Sequence, residues 1–289
     1  IASKIRTSVD KIVKKEVIKP GPFSKKPTEC AVCTVVIENI HAVNASVEDL
    51  KHKFHSEILD RSVKKLVVIG EANCEIDRQI ERALQMMMVL EKSLITLHLT
   101  LEGVHRPVII KFEITLNKLQ PYKPIWEWTP EEKYLITLQY KEAGVVLFKD
   151  SRWVDAFRKF SKACKILITL EPIPDLELQA KLESDINNLR LVLYNNMAGC
   201  QLNHKNYEHV VTLCTKILDK ESTNVKALYR RGVAHGNLKD LEKAVADLKT
   251  ATTLEPHNRA AKEQFLIYNA QLQEANQKFG DMVRRMFKP

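Results

Sequence analysis

Two periodicities divide the chain. Up to about residue 119 the apolar residues alternate with polar ones or gather in short runs, and from Glu131 onward they recur every three or four positions. In the first part Val32, Val35, Val36 and Ile37 make a β-branched run, and Leu66 to Gly70 (LVVIG) makes a second short strand. Ser93–Leu99 and Pro107–Leu116 alternate like strands on either side of a turn around Gly103. Ile76, Ile80, Ala83, Leu84 and Met87 keep helical spacing and predict a helix over 76–89. Ile12, Val13, Val17 and Ile18 lead into a turn at Pro20-Gly21. Residues 45–64 are ambiguous, since Val47, Leu50, Phe54 and Ile58 would share one face of a helix. Strands around one helix predict an α+β domain over 1–120. Pro121, Pro124 and Pro130, with Trp126 and Trp128, predict a stiff connector over 121–130. Residues 131–289 read as helical throughout.

Within the helical part the pattern repeats. Gly232, Ala244, Leu248, Ala251 and Pro256 occupy five signature positions of a tetratricopeptide repeat, a helix–turn–helix unit of ~34 residues. Small residues at 232 and 244 let two antiparallel helices approach, and Pro256 ends the second. Counting back from Val225 sets another unit at Leu191, with Ala198, Tyr207 and Cys214 at the matching offsets. A further unit starts near Thr137, with Gly144, Trp153, Ala156, Phe160 and Ala163 in register. The starts at 137 and 191 lie 54 apart, so about twenty extra residues lengthen the helices around Pro172 and Pro174. Three repeats plus a following helix predict a small all-α solenoid, because no single repeat buries its own apolar face. The last helix, from Asn258, ends in the basic, Met- and Phe-bearing stretch Lys278–Phe287. It reads as a cap on the last repeat, with calmodulin or a partner groove as the alternative.

Composition adds limits. Hydrophobic residues make up 45% of the chain, ample for packed cores. The net charge is +9, and residues 1–29 carry eight Lys/Arg against three acids. That excess is a solvated basic face or, more sharply, a surface for an acidic partner. No nucleic-acid signature accompanies it, so no nucleic-acid partner is expected. Six scattered cysteines, three of them in the repeats, predict reduced thiols and a cytoplasmic, or also nuclear, protein. Cys30 and Cys33 have zinc-ligand spacing but no second pair, and they open an apolar strand, which favours packing. His52 and His55 lie three apart on the ambiguous segment. No metal and no cofactor is expected. No run of ~18 apolar residues exists to span a membrane. The chain begins at Ile1 rather than Met, as a trimmed chain would.

The order of these parts resembles the FKBP-type immunophilins that carry a C-terminal tetratricopeptide domain, most of all their degenerate FKBP-like branch. The resemblance is carried by Val17-Ile-Lys-Pro-Gly21, by GEANCEIDRQIERALQMMMVLEK from Gly70 to Lys92, and by Phe112-Glu-Ile-Thr-Leu116. Trp126-Glu-Trp-Thr-Pro-Glu-Glu-Lys133 and the KALYRRGV of the third repeat extend it. It implies an antiparallel sheet with one helix for the first domain. Active members isomerise X–Pro bonds in a pocket walled by aromatic rings, which favours the twisted, less polar transition state. Those rings are missing here: between Cys30 and Leu119 the aromatics are Phe54 and Phe112. Phe112 matches one pocket position, and Ile80 stands where the family places its floor tryptophan. Leu59-Asp60-Arg61-Ser62 reads as a remnant of a Phe-Asp-Ser-Ser motif, and the flap has shrunk to 102–107. The resemblance thus implies a scaffold with no catalytic residue. An active or weak prolyl isomerase is the alternative.

For the repeats it implies a groove that grips the acidic C-terminal tail of ninety-kDa or seventy-kDa heat-shock chaperones. Lys141 matches the family's first Lys, Asn196 its second-repeat Asn, and Lys226 and Arg230 its third-repeat pair. Lys226 and Arg230 are four apart and share a helical face. Val145 departs from the pattern, standing where the family has Asn or Thr, and Arg231 reads as a surface charge. The plainer alternative is that the Lys and Arg solvate exposed faces and Asn196 bridges helices. The branch also implies a client kinase of the casein-kinase type, the clock kinase Doubletime, which no residue here names independently. A self-associating scaffold, through Met86–Met88 or the C-terminal helix, is a further alternative.

Overall fold

The computed structural model describes residues 5–60, 64–101 and 103–286. It falls into two compact units, Ile1–Thr129 and Pro130–Pro289.

The first unit is a six-stranded antiparallel sheet. Its strands are β1 (Ile5–Thr7), β2 (Val13–Lys19), β3 (Val32–Val43), β4 (Lys65–Val68), β5 (Lys92–Leu99) and β6 (Val108–Gln120), in the order β1-β2-β5-β6-β3-β4. Alternation puts Val35, Ile37, Ile95, Leu97, Phe112 and Ile114 in one buried cluster with Ile76, Ile80 and Leu84 of the helix α2 (Glu75–Leu84). β5 and β6 pair directly up to Leu99 opposite Val108, so the connection between them is short.

Three expectations change here. The run at 32–37 continues to Val43, through a register shift between Glu38 and His41 where Asn39 takes a φ of 53°. The helix predicted to reach residue 89 stops at Leu84. The N–H groups of Met86 and Met87 turn back to the carbonyls of Ala83 and Leu84 at 3.0 and 2.9 Å, and Lys15 Nζ takes the Met86 carbonyl at 2.8 Å. Met87 is fully buried, Met86 packs against the same core and Met88 is half-buried, so the three form no exposed sticky surface. The described residues of 45–64 form one short helix, α1 (Val47–His52), opened by the Ser46 hydroxyl accepting from the Asp49 N–H at 3.0 Å. After α1 the chain answers to α2 instead. The Ser56 hydroxyl and the Glu57 N–H donate to the Asp77 carboxylate at 2.5 and 2.8 Å. His52 closes α1 and His55, at φ 55°, lies outside it, so the two do not share a helical face. Among the described residues no group of His, Cys, Asp or Glu is arranged to hold a metal.

The basic front also hides an exception. Lys15 is 2% exposed, and its Nζ meets Glu91 Oε1 at 2.5 Å; Glu91 accepts as well from the Ser93 hydroxyl at 2.7 Å and the Met88 N–H at 3.1 Å. Burial pulls the Lys15 ammonium below its ordinary pKa, while Glu91 opposes the shift.

The second unit is all helical: α3 (Pro130–Lys149), α4 (Trp153–Ile168), α5 (Ala180–Asn203), α6 (Tyr207–Leu218), α7 (Val225–Asn237), α8 (Leu241–Leu254) and α9 (Arg259–Met286). They pair as three antiparallel hairpins, α3/α4, α5/α6 and α7/α8, with α9 against α8. The small residues sit where the helices cross. A Cβ on Gly232 would stand 2.7 Å from Leu248, and one on Gly144 2.5 Å from the Phe160 ring. The twenty-residue lengthening lies between α4 and the body of α5, and Arg190 Nη1 meets Glu171 Oε1 at 2.5 Å across it. α9 caps the solenoid through Ala261 and Tyr268. Tyr268 lies over Gly236 and accepts from Asn237 Nδ2 at 3.1 Å. Beyond Tyr268 no described residue of α9 is buried, and Phe279, Met282 and Met286 are exposed. Phe287 lies outside the described residues. No described helix is long and apolar enough to cross a membrane.

Candidate peptide-binding groove

The first helix of each hairpin touches the first helix of the next: α3 meets α5, and α5 meets α7. This row forms the inner wall of the solenoid, and all four expected binding residues lie on it. Lys141 is on α3, Asn196 on α5, and Lys226 and Arg230 are one turn apart on α7. Lys226 is exposed, and Lys141, Asn196 and Arg230 are half-buried. Val145, one turn beyond Lys141, is half-buried and offers no donor.

Charge separates two neighbouring arginines. Arg231 is no free surface charge: its Nε and Nη2 donate to Asp247 of α8 at 2.7 and 2.8 Å, and its Nη1 to the Thr215 hydroxyl at 3.3 Å. The bidentate geometry and the near-complete burial of Asp247 tie α6, α7 and α8 together, which is why the residue faces inward. Arg230 has no carboxylate partner among the described residues. Its Nη1 donates to the neutral Asn195 Oδ1 at 3.0 Å. Burial pulls its pKa below the ordinary value with no carboxylate to oppose it, yet a guanidinium stays protonated there. Neither Lys141 nor Lys226 makes an ion pair with a described residue. The inner wall therefore holds three cations that no described carboxylate neutralises. A carboxylate placed there would find charge-assisted donors worth ~1.5–3 kcal/mol each.

Asn195 and Gly199 escape a sequence reading centred on Asn196. Asn195 could have been found from the repeat register, because it stands 54 residues after Lys141, the offset that relates the first two units. Gly199 carries no such signal until Arg230 is seen lying on it.

The positions that would wall an isomerase pocket lie elsewhere, in the sheet unit. Ile80, Phe112 and Leu59 are each fully buried members of the continuous core. Asp60 sits outside that core, 44% exposed, paired with Lys51 and with Lys65 at 3.6 Å. Arg61, Ser62 and Glu102 lie outside the described residues. The Cys33 thiol is buried and pushed up to about 12 by desolvation, which makes it a poor metal ligand or nucleophile.

Comparison with known proteins agrees with this two-part architecture. Residues 7–121 match a family described as BDBT FKBP like N-terminal, and residues 129–212 match one described as Bride of doubletime-like, TPR domain. The human FK506-binding protein-like is 32% identical over 210 residues, covering 72% of this chain and 54% of the relative. The bovine peptidyl-prolyl cis-trans isomerase FKBP4 is 27% identical over 277 residues, covering 93% of this chain and 56% of the relative. The chain spans about half the length of the curated relatives it matches. A crystal structure of residues 1–211 of CG17282 superposes with a TM-score of 0.58 at 24% identity, covering 72% of this chain and 97% of that one, and shares the fold. With an antiparallel FKBP-like sheet unit followed by three tetratricopeptide hairpins and a capping helix, the chain belongs to the FKBP-type proteins with C-terminal tetratricopeptide repeats, and its residues 7–121 and 129–212 are similar to the Bride of doubletime-like members.

Proposed function

We propose that this protein is a non-catalytic adaptor of the co-chaperone kind, whose repeat groove grips an acidic C-terminal peptide such as the tail of a ninety-kDa or seventy-kDa heat-shock chaperone. One observation carries the reading: Lys141, Lys226 and Arg230 share the inner wall without a carboxylate partner among the described residues, while adjacent Arg231 is fully paired. Asn196 adds a neutral donor between them. Val145 removes one donor from the ligand's reach, which lowers affinity by ten- to a hundredfold if it leaves a buried carboxylate oxygen unpaired. The sheet unit serves as a scaffold, supported by the filling of the pocket positions with Ile80 and Leu59. Titration of a peptide ending in Glu-Glu-Val-Asp at two salt concentrations tests the groove. Micromolar binding that weakens with salt and disappears in Lys226→Ala/Arg230→Ala is expected, and salt-independent or absent binding overturns it. An X–Pro isomerisation assay tests the alternative, with no turnover above buffer expected.

The match to the Bride of doubletime-like family supports a second, finer element of the reading: the adaptor's client is a casein-kinase-type clock kinase, Doubletime, in the cytoplasm or also the nucleus. The six scattered cysteines, three of them inside the repeats, fit such a reducing location. Retention of purified Doubletime by the intact chain, unaffected by Lys226→Ala/Arg230→Ala, is the expected outcome if the sheet unit holds the kinase.

A further inference from the structure

Arg230 does not project freely from α7; it lies down across α5. Its Nη1 reaches Asn195 Oδ1 at 3.0 Å, and a Cβ added to Gly199 would stand 3.3 Å from Nη2 and 3.6 Å from Cζ and Nε. Asn195 is anchored in turn, its Nδ2 reaching Asn224 Oδ1 at 3.5 Å. That same Asn224 oxygen caps α7 by accepting the Ala227 N–H at 3.1 Å. The start of α7, the Asn195 amide and the guanidinium thus form one connected run. Gly199 occupies the repeat position held by Val145 in the first unit and Val233 in the third, so the side chain is missing only in the repeat where the arginine lies.

The chemistry of the acceptor matters as much as its place. An amide oxygen orients a guanidinium without cancelling its charge, whereas a carboxylate would consume it, as Asp247 does for Arg231. We infer that Asn195 is the positioning residue of the groove and Gly199 the cut-out beneath it, together holding the Arg230 guanidinium, still charged, as the receptor for the terminal carboxylate of an acidic peptide. The ligand named in this inference rests on the groove reading above.

Two readouts test it on the full chain: titration with the peptide ending in Glu-Glu-Val-Asp, and the Arg230 side-chain N–H resonances. Asn195→Asp places a carboxylate of nearly the same shape against Arg230. It should lower peptide affinity at least tenfold, as far as Arg230→Ala does, with the unfolding midpoint unchanged or higher. Gly199→Leu, which fills the cut-out, should lower affinity less and shift the same resonances. Asn195→Ala should broaden or average them, because the guanidinium loses its acceptor. Wild-type affinity in Asn195→Asp, or Arg230 signals indifferent to Asn195→Ala, would overturn the inference. Failure of the wild type to bind the peptide, with Arg230 signals that still depend on Asn195, sinks the groove reading and leaves the positioning of Arg230 supported.

Discussion

The sheet unit and the repeat unit each hold a long cation in a confined place, and they treat it in opposite ways. Lys15 is sealed inside the sheet unit against Glu91, which is satisfied further by Ser93 and the Met88 N–H. Arg230 is lodged between α5 and α7 with a neutral amide as its hydrogen-bond partner and no carboxylate among the described residues. Desolvation costs both, but only Lys15 recovers the cost through an internal ion pair. A charge whose partner lies within the fold is part of the architecture; one held without a counter-charge among the described residues is what the proposed groove uses. The same distinction separates Arg230 from Arg231, one residue along.

The largest effect that could break this comparison concerns Glu91. Glu91→Ala leaves Lys15 buried and unpaired and should cost the sheet unit ~3–5 kcal/mol in urea unfolding. A loss below about 1 kcal/mol would mean that the ammonium escapes to water and that the pair is no part of the architecture. Next comes the pair of arginines. Arg231→Ala strands the buried Asp247 and should destabilise the repeat unit by ~1–3 kcal/mol while leaving peptide affinity unchanged. Arg230→Ala should do the reverse, losing about ten- to a hundredfold in affinity at an unchanged midpoint. If both variants move the same readout, the distinction collapses. Gly236→Ala, whose Cβ would stand 2.2 Å from the Tyr268 ring, should cost ~1–3 kcal/mol and speed hydrogen exchange in α9 while sparing the groove.

The smallest effect is a pH dependence. Burial holds His235 below its ordinary pKa, so on acidification the unfolded chain takes up its proton first. The stability of the repeat unit should therefore be fully present above about pH 6.5 and fall as the pH drops below that value. His235→Gln should flatten the slope in this window by up to one proton, read from unfolding midpoints between pH 7.5 and 5.

The repeats were legible because their signal is steric and periodic: Gly232 can be nothing larger while Leu248 lies 2.7 Å from where its Cβ would be. The strands from 93 to 116 were legible for a similar reason, an alternation that one buried face imposes. What escaped was decided by partners distant in sequence. Helical spacing ran on to Met87, but the α2 helix ends earlier because Lys15, 71 residues back, takes the Met86 carbonyl. Leu50 and Ile58 looked like one helical face until Asp77 drew Ser56 and Glu57 to itself. In the groove, the positions of Lys141, Asn196, Lys226 and Arg230 on the inner helices followed from repeat register. Register also marks Asn195, at the place Lys141 holds in the first unit, but not that it rather than the chemically identical Asn196 would take Arg230, which the rotation of α5 decides.

The clasp between Glu171 and Arg190 has a bearing on what the lengthening does in the fold. The lengthening between the first two repeats amounts to about twenty residues, and this ion pair joins its two ends. A detour that returns to its point of departure leaves the stacking on either side undisturbed, so Gly144 and Ala198 keep equivalent places in their hairpins despite it. The detour is itself packed, since Ile173, Ile186 and Leu189 within it are buried, so the clasp closes a stretch that adds to the core between the first two hairpins rather than a bare loop.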